Sequence, residues 1–188
     1  MPKAKVTREM IVNAAFEVTR AVGIENVNAR TVSEKLGCST QPVMYHFSKI
    51  EDMKRAVYEK ADQFHTGYLM NVSEKKGMML SIGLNYIRFA IYEPNLFRFL
   101  FQSGYVVGNG LIDIVNNDEL KPLLEMMGGA MGLSVGQTKD VFVTIAMFAH
   151  GYASIIANNS LGYDEKAVER DLERAYKGAV LAVTEETK

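Results

Sequence analysis

Apolar residues recur at three- and four-residue spacing along almost the whole of this 188-residue chain, and no segment alternates apolar and polar as a half-buried strand would. Only four prolines interrupt that periodicity, so it predicts an all-α fold. The first helix opens at Thr7, a residue type suited to an N-cap, places Ile11, Ala15, Val18 and Val22 on one face, and stops at Gly23. Ile24 and Val27 pack a short connection. Asn28 can cap a second helix whose buried stripe is Val32 and Leu36, ending at Gly37. Ser39 can cap a third, with Pro42 in its first turn, where the missing N–H costs nothing, and Val43 and Phe47 on its apolar side. Three short helices thus fit within about fifty residues.

Beyond Lys49 a long amphipathic helix is expected over 51–70, with Met53, Val57, Ala61 and Phe64 at helical spacing, joining two modules. Further helices are expected near 76–92, 94–103, 118–131, 137–159 and 164–184, separated by glycine-bearing breaks at 104–110, 132–136 and 158–162. The expected division is 1–50 and 51–188. No internal repeat or low-complexity tract is present.

Composition narrows the class. At 48% hydrophobic the chain can build one compact domain plus a small module. Its opening Met-Pro-Lys-Ala-Lys has no apolar run behind it, and no stretch approaches the ~20 uninterrupted apolar residues of a membrane span, so the cytoplasm is the expected address. One cysteine, Cys38, excludes an internal disulfide and a cysteine-based zinc cluster; it reads as a small buried hydrophobe rather than a redox switch. No metal or cofactor is expected. Net charge is -1, but residues 1–60 carry ten Lys or Arg against seven Asp or Glu, while 61–188 carry eleven against fifteen. The basic surplus sits at the front, where an anionic partner would be met.

The stretch TVSEKLGCSTQPVMYHF, residues 31–47, has the parts of a helix-turn-helix: two short helices, a glycine where the chain must bend, and a second helix with an exposed N-terminal half. With Leu36, Val43 and Phe47 turned toward Ile11 and Ala15, the side chains of Thr40, Gln41, Tyr45 and His46 face outward. Gln41 can bond an adenine through two contacts, Thr40 and the Pro42 ring can meet a thymine methyl, and Tyr45, His46 and Lys49 can hold phosphates. Arg30, opening the preceding helix, is placed for a guanine. Ser39 and Met44 complete the set of expected DNA-facing residues. Periodicity alone also fits three helices of an ordinary helical core, with Met44 buried and His46 structural.

Over residues 7 to about 60 the chain resembles the TetR family of bacterial regulators. The stretch that carries the resemblance is Leu36-Gly37-Cys38-Ser39-Thr40-Gln41-Pro42-Val43-Met44-Tyr45-His46-Phe47. Cys38 stands where the family has Val, Met44 where it has Tyr, and Lys49 one place earlier than the family's lysine. The resemblance implies an N-terminal three-helix DNA-binding module followed by a larger helical domain that binds a small effector and forms a homodimer through its last two helices. It implies, too, a repressor acting on a palindromic double-stranded operator.

The residues of the later segments agree with such a domain. Residues 141–156 are nearly all apolar, with Ala146, Ala149, Gly151 and Ala153 small enough for close helix approach, and the last helix keeps Ala167, Leu172, Ala175, Ala179 and Val183 among charged neighbours. An apolar or aromatic effector would meet Phe64, Tyr68, Tyr86, Phe89, Phe97, Phe101, Met127, Met147 and His150, with Met126, Met131 and Phe142 nearby. Each of these fits an ordinary core position equally well. His150-Gly151 is similar to a pair found in one group of TetR effector domains, though the accompanying tryptophan is missing. No phosphate loop, HExxH, or Gly-x-Ser-x-Gly is present, and the three histidines lie far apart, so no enzyme is expected.

Overall fold

The computed structural model describes residues 6–72, 77–105, 120–159 and 162–185, and within them all regular structure is helical. The helices are α1 (Arg8–Val22), α2 (Ala29–Leu36), α3 (Thr40–His46), α4 (Ile50–Leu69), α5 (Met78–Tyr92), α6 (Pro94–Gln102), α7 (Lys121–Met131), α8 (Val135–Asn159) and α9 (Glu165–Glu185), with one 3-10 turn at Ile24–Asn26. The all-α expectation and the order of its segments hold. The break at 104–110, where the sequence allows either an entrance or a plain loop, falls outside the described residues beyond Tyr105.

The chain divides into two compact units, Met1–Gly67 with Glu93–Val106 and Tyr68–Tyr92 with Val107–Lys188. The first runs past residue 50 because α4 and α6 share its packing. Tyr58 of α4 donates to the Leu100 carbonyl at 3.2 Å and meets Phe99 edge-on. Arg20 of α1 grips Glu93 with both arms of its guanidinium, Nε donating to Oε2 at 2.7 Å, and Asn95 donates to the Arg20 carbonyl at 3.0 Å. The interior holds Ile11, Ala15, Phe16, Val32, Val43, Phe47, Met53, Val57 and, from α6, Leu96, Phe97, Phe99 and Leu100. One expectation fails at the end of α1. Val22 is 55% exposed, and the buried face instead runs Ile11, Val12, Ala15, Phe16, Thr19. Val22 is the last residue of α1, where Gly23 at φ 94° ends the helix.

In the second unit α8 packs against α5, α7 and α9, and α9 also lies on α5. The buried line of α8 is Thr138, Val141, Ile145, Ala149, Ala153 and Ala157, one residue every three or four positions. Small residues set the spacing. A Cβ on Gly83 would stand 3.1 Å from a Leu172 methyl, and one on Gly128 would lie 2.6 Å from Thr138 Oγ1 and 2.9 Å from the Leu133 carbonyl oxygen. Helix α8 is long and apolar enough, by length and composition, to cross a membrane. Its apolar runs are nonetheless interrupted by Thr144, His150 and Ser154, so no described stretch reaches about 20 uninterrupted apolar residues. Here α8 is the central packing helix of its unit.

Buried Asn85 of α5 is the polar knot of this unit. Its Nδ2 donates to the Asn71 and Leu69 carbonyls at 2.9 and 3.2 Å, with the Tyr68 carbonyl at 3.4 Å sharing one of the two protons, and so serves groups that the end of a helix leaves open. Its Oδ1 accepts from Arg88 at 3.3 Å, and Arg88 pairs with Glu165 at the start of α9.

Candidate nucleic-acid interface

Three local devices build the surface around α3. Thr7 caps α1, its Oγ1 accepting from the Met10 N–H at 3.2 Å. Asn28 caps α2 reciprocally: its Oδ1 accepts from the Arg30 and Thr31 N–H groups at 3.0 Å each, and the Asn28 N–H donates to Thr31 Oγ1 at 3.1 Å. Gly37 ends α2 in the left-handed region at φ 63°, which lets the chain bend into α3 at no steric cost. These are the residues the sequence assigns to those jobs. Ser39 differs. It holds the extended backbone of an N-cap, but its side chain makes no capping bond and faces water.

Helix α3 is then fixed from one side only. Val43 and Phe47 are buried, and the Arg8 guanidinium lies over the Phe47 ring at 4.8 Å. The opposite side presents Ser39, Thr40, Gln41, Met44 and Tyr45, with Lys49 just beyond. Tyr45 is 82% exposed and Met44 52% exposed. Leaving two such side chains in water on a seven-residue helix costs the isolated chain and suits a partner with both apolar and hydrogen-bonding atoms. Pro42 is half-buried.

Two residues have internal partners. His46, half-buried, donates from Nε2 to the Val6 carbonyl at 3.1 Å, tying the segment before α1 to the end of α3, and its ring meets Tyr45 edge-on. Arg30 is exposed and paired with Glu34 one turn on, Nε to Oε1 at 2.9 Å. A surface pair of this kind exchanges readily for a phosphate or a base. Glu34 and Arg8 were not singled out from sequence; the four-residue spacing of Arg30 and Glu34 is a signal that could have found the first.

The nine residues expected around an effector fall into both units. In the first, Phe64 meets Phe16 edge-on and lies under the Arg20 guanidinium, while Phe97 and Phe101 stack obliquely at 5.1 Å. His65 stands beside Phe101 with ring centres 5.0 Å apart, and burial pulls its pKa down to about 4. In the second, Tyr68 meets Phe89 edge-on, and Tyr86 bonds His150 at Nδ1, 2.8 Å, whose Nε2 lies 3.2 Å from Ser154 Oγ. Burial lowers the His150 pKa and pushes the Tyr86 hydroxyl up. Met127 is buried, whereas Met147 is 57% exposed on α8. No group of three metal-ligating side chains occurs among the described residues.

No protein-family model matches the chain. It is 23% identical over 180 residues to the uncharacterized HTH-type transcriptional regulator YobS of Bacillus subtilis (strain 168), covering 89% of this chain and 88% of that one. Among solved structures, a tetR-family transcriptional regulator from Streptomyces coelicolor superposes with a TM-score of 0.65 at 14% identity, over 94% of this chain and 87% of the other. A transcriptional regulator from Rhodococcus sp. Rha1 gives 0.63 at 14% identity, over 94% and 97%. The multidrug binding protein EbrR, complexed with imidazole, gives 0.52 at 15% identity, over 93% of each chain. With a capped helix-turn-helix at its front and a helical body behind, the chain has the fold of the TetR-family transcriptional regulators.

Proposed function

We propose that this chain is a sequence-specific DNA-binding regulator, a ligand-responsive repressor that binds a palindromic operator as a homodimer. The observation that carries the reading is the outward face of α3, where Thr40, Gln41, Met44 and Tyr45 stand exposed on a helix anchored by Val43 and Phe47. Gln41 would read an adenine, Thr40 and Met44 would contact thymine methyls, and Ser39, Tyr45 and Lys49 would hold phosphates. Arg30 would leave Glu34 for a guanine. Pro42 would fix the approach of the helix start, and His46 would act through its hold on Val6.

A homodimer would double this reader and demand half-sites about one DNA turn apart. The exposed apolar side chains of Met147 and Ile155 on α8 and Leu181 on α9 support pairing through the last two helices. Effector binding is supported by the aromatic and methionine content of the body and by the described ligand binding of the EbrR relative. An effector that prefers one conformation of the body would shift α4, whose last two residues belong to the second unit, and so change half-site spacing. Catalysis has no part in this reading, and the cytoplasm is where it would operate.

Gel-shift on the DNA flanking the chain's own gene tests it. Binding at low salt that weakens steeply with added salt is expected, with Gln41→Ala losing about 1–3 kcal/mol of discrimination at one base pair. Tyr45→Ala should weaken all sequences alike. No binding at low salt, or binding indifferent to both substitutions in a folded protein, overturns the reading.

A further inference from the structure

The second unit contains a half-open cleft of about 180 Å³ between the start of α5, the end of α7 and one residue of α9. Four of the chain's eleven methionines stand on its walls: Met78 and Met79 from α5, Met127 and Met131 from α7. Ala130 lies on its exposed rim, and half-buried Tyr176 is the one hydroxyl-bearing residue among the described wall residues. We propose that this cleft is a binding site for a small uncharged molecule built on a single aromatic ring.

Size, charge and wall chemistry converge on that class. An engineered apolar cavity of about 150 Å³ takes up benzene, so a cleft of this volume has room for one ring. Among the described wall residues none carries a charge, so an ion placed here gains no charged partner from them. Methionine thioethers are polarizable, rest favourably against ring edges, and re-pack around ligands of differing outline. The Tyr176 hydroxyl admits one hydrogen-bonding substituent. Of these residues Met127 and Met131 are among those the sequence places at or near an effector, and the cleft includes neither the Tyr86–His150 pair nor Phe89. The proposal does not depend on the DNA-binding reading.

Methionine-methyl NMR on the full chain tests it, with toluene, phenol and benzoate as probes. Toluene should shift the Met78, Met79, Met127 and Met131 signals together and saturably, leaving Met10 and Met44 unmoved. Ala130→Phe, a change at an exposed helical position, should weaken toluene about tenfold or more by filling the rim, and benzoate should bind wild type at least about tenfold less tightly than toluene. Tyr176→Phe should weaken phenol and spare toluene. If Ala130→Phe does not fold, Met131→Glu serves as the second variant and should act likewise. Four methyls that fail to saturate together, equal affinity for benzoate, or toluene binding unchanged in the folded cleft variant would each overturn the assignment. Gel-shift of the same variants reports DNA binding separately, so loss of one property does not read as loss of the other.

Discussion

The two compact units solve packing differently. The first fills its interior with aromatic rings, among them Phe16, Phe47, Phe97 and Phe99, around short helices whose ends are fixed by side chains. In the second, the fully buried cluster around α8 is made of Leu, Ile, Val, Ala and Met, with rings such as Phe142, Phe148 and Tyr152 only partly buried against it, and Gly83 and Gly128 let helices approach closely. Large rigid rings hold a small element in one orientation. Small residues bring long helices close together, and unbranched methionines fill the irregular gaps that remain. The first unit thus fixes α3 with rings, while the second depends on close helix approach.

The largest expected effect tests the rigid half. Phe97 is fully buried, and Phe97→Ala should cost about 3–5 kcal/mol in denaturant unfolding. The comparison predicts that Met127→Ala, the same kind of truncation at a buried cleft-wall position of the second unit, stays at about 2 kcal/mol, the low end for its class. Equal losses would erase the distinction.

Next in size is the pH dependence of the first unit. His65 is buried beside Phe101 with its pKa pulled down to about 4, below the ordinary 6.5 of an unfolded chain. Between those values the unfolded chain binds a proton that the folded one refuses, so stability rises with pH across this window. The contribution is fully present above about 6.5, falls as pH drops toward 4, and is on the order of 3 kcal/mol in total. Replacing His65 with Phe should flatten that slope in urea titrations between pH 4 and 6.5. An unchanged slope would move its origin elsewhere.

Close approach in the second unit gives a third test, in which sign matters. Glycine to alanine inside a helix ordinarily gains up to about 1 kcal/mol. At Gly128 the new methyl would sit 2.6 Å from Thr138 Oγ1 and 2.9 Å from a backbone oxygen that cannot swing away, so Gly128→Ala should instead lose about 1–3 kcal/mol. A gain would show that α7 and α8 separate easily and that the cleft beside them is softer than drawn.

What the sequence reveals follows the same division. Thr7, Asn28, Gly23 and Gly37 act on neighbours a few residues away, so their roles are readable from local chemistry, and the outward face of α3 follows from the positions of Val43 and Phe47. Asn85 is invisible by that method, because the carbonyls it satisfies are 14 to 17 residues away and only the fold brings them together. The same holds for Arg20 with Glu93, 73 positions apart, and for the meeting of Met78 and Met131 on one cleft. Val22 shows the limit of periodicity itself: its spacing suits the buried stripe, but it stands at the last position of α1 and is exposed.

The smallest expected effect separates holding α3 from using it. Asn28 and Ser39 stand at equivalent N-cap positions of consecutive helices with similarly extended backbones. Asn28 accepts two N–H bonds there, so Asn28→Ala should cost about 1 kcal/mol in thermal unfolding. Ser39 makes no such bond, and Ser39→Ala should leave the melting curve in place. If its hydroxyl is reserved for a phosphate, the same substitution should weaken DNA binding and reduce its salt dependence by about one counterion. A stability loss at Ser39 matching that at Asn28 would mean that the serine serves the fold, and would take it out of the reading surface.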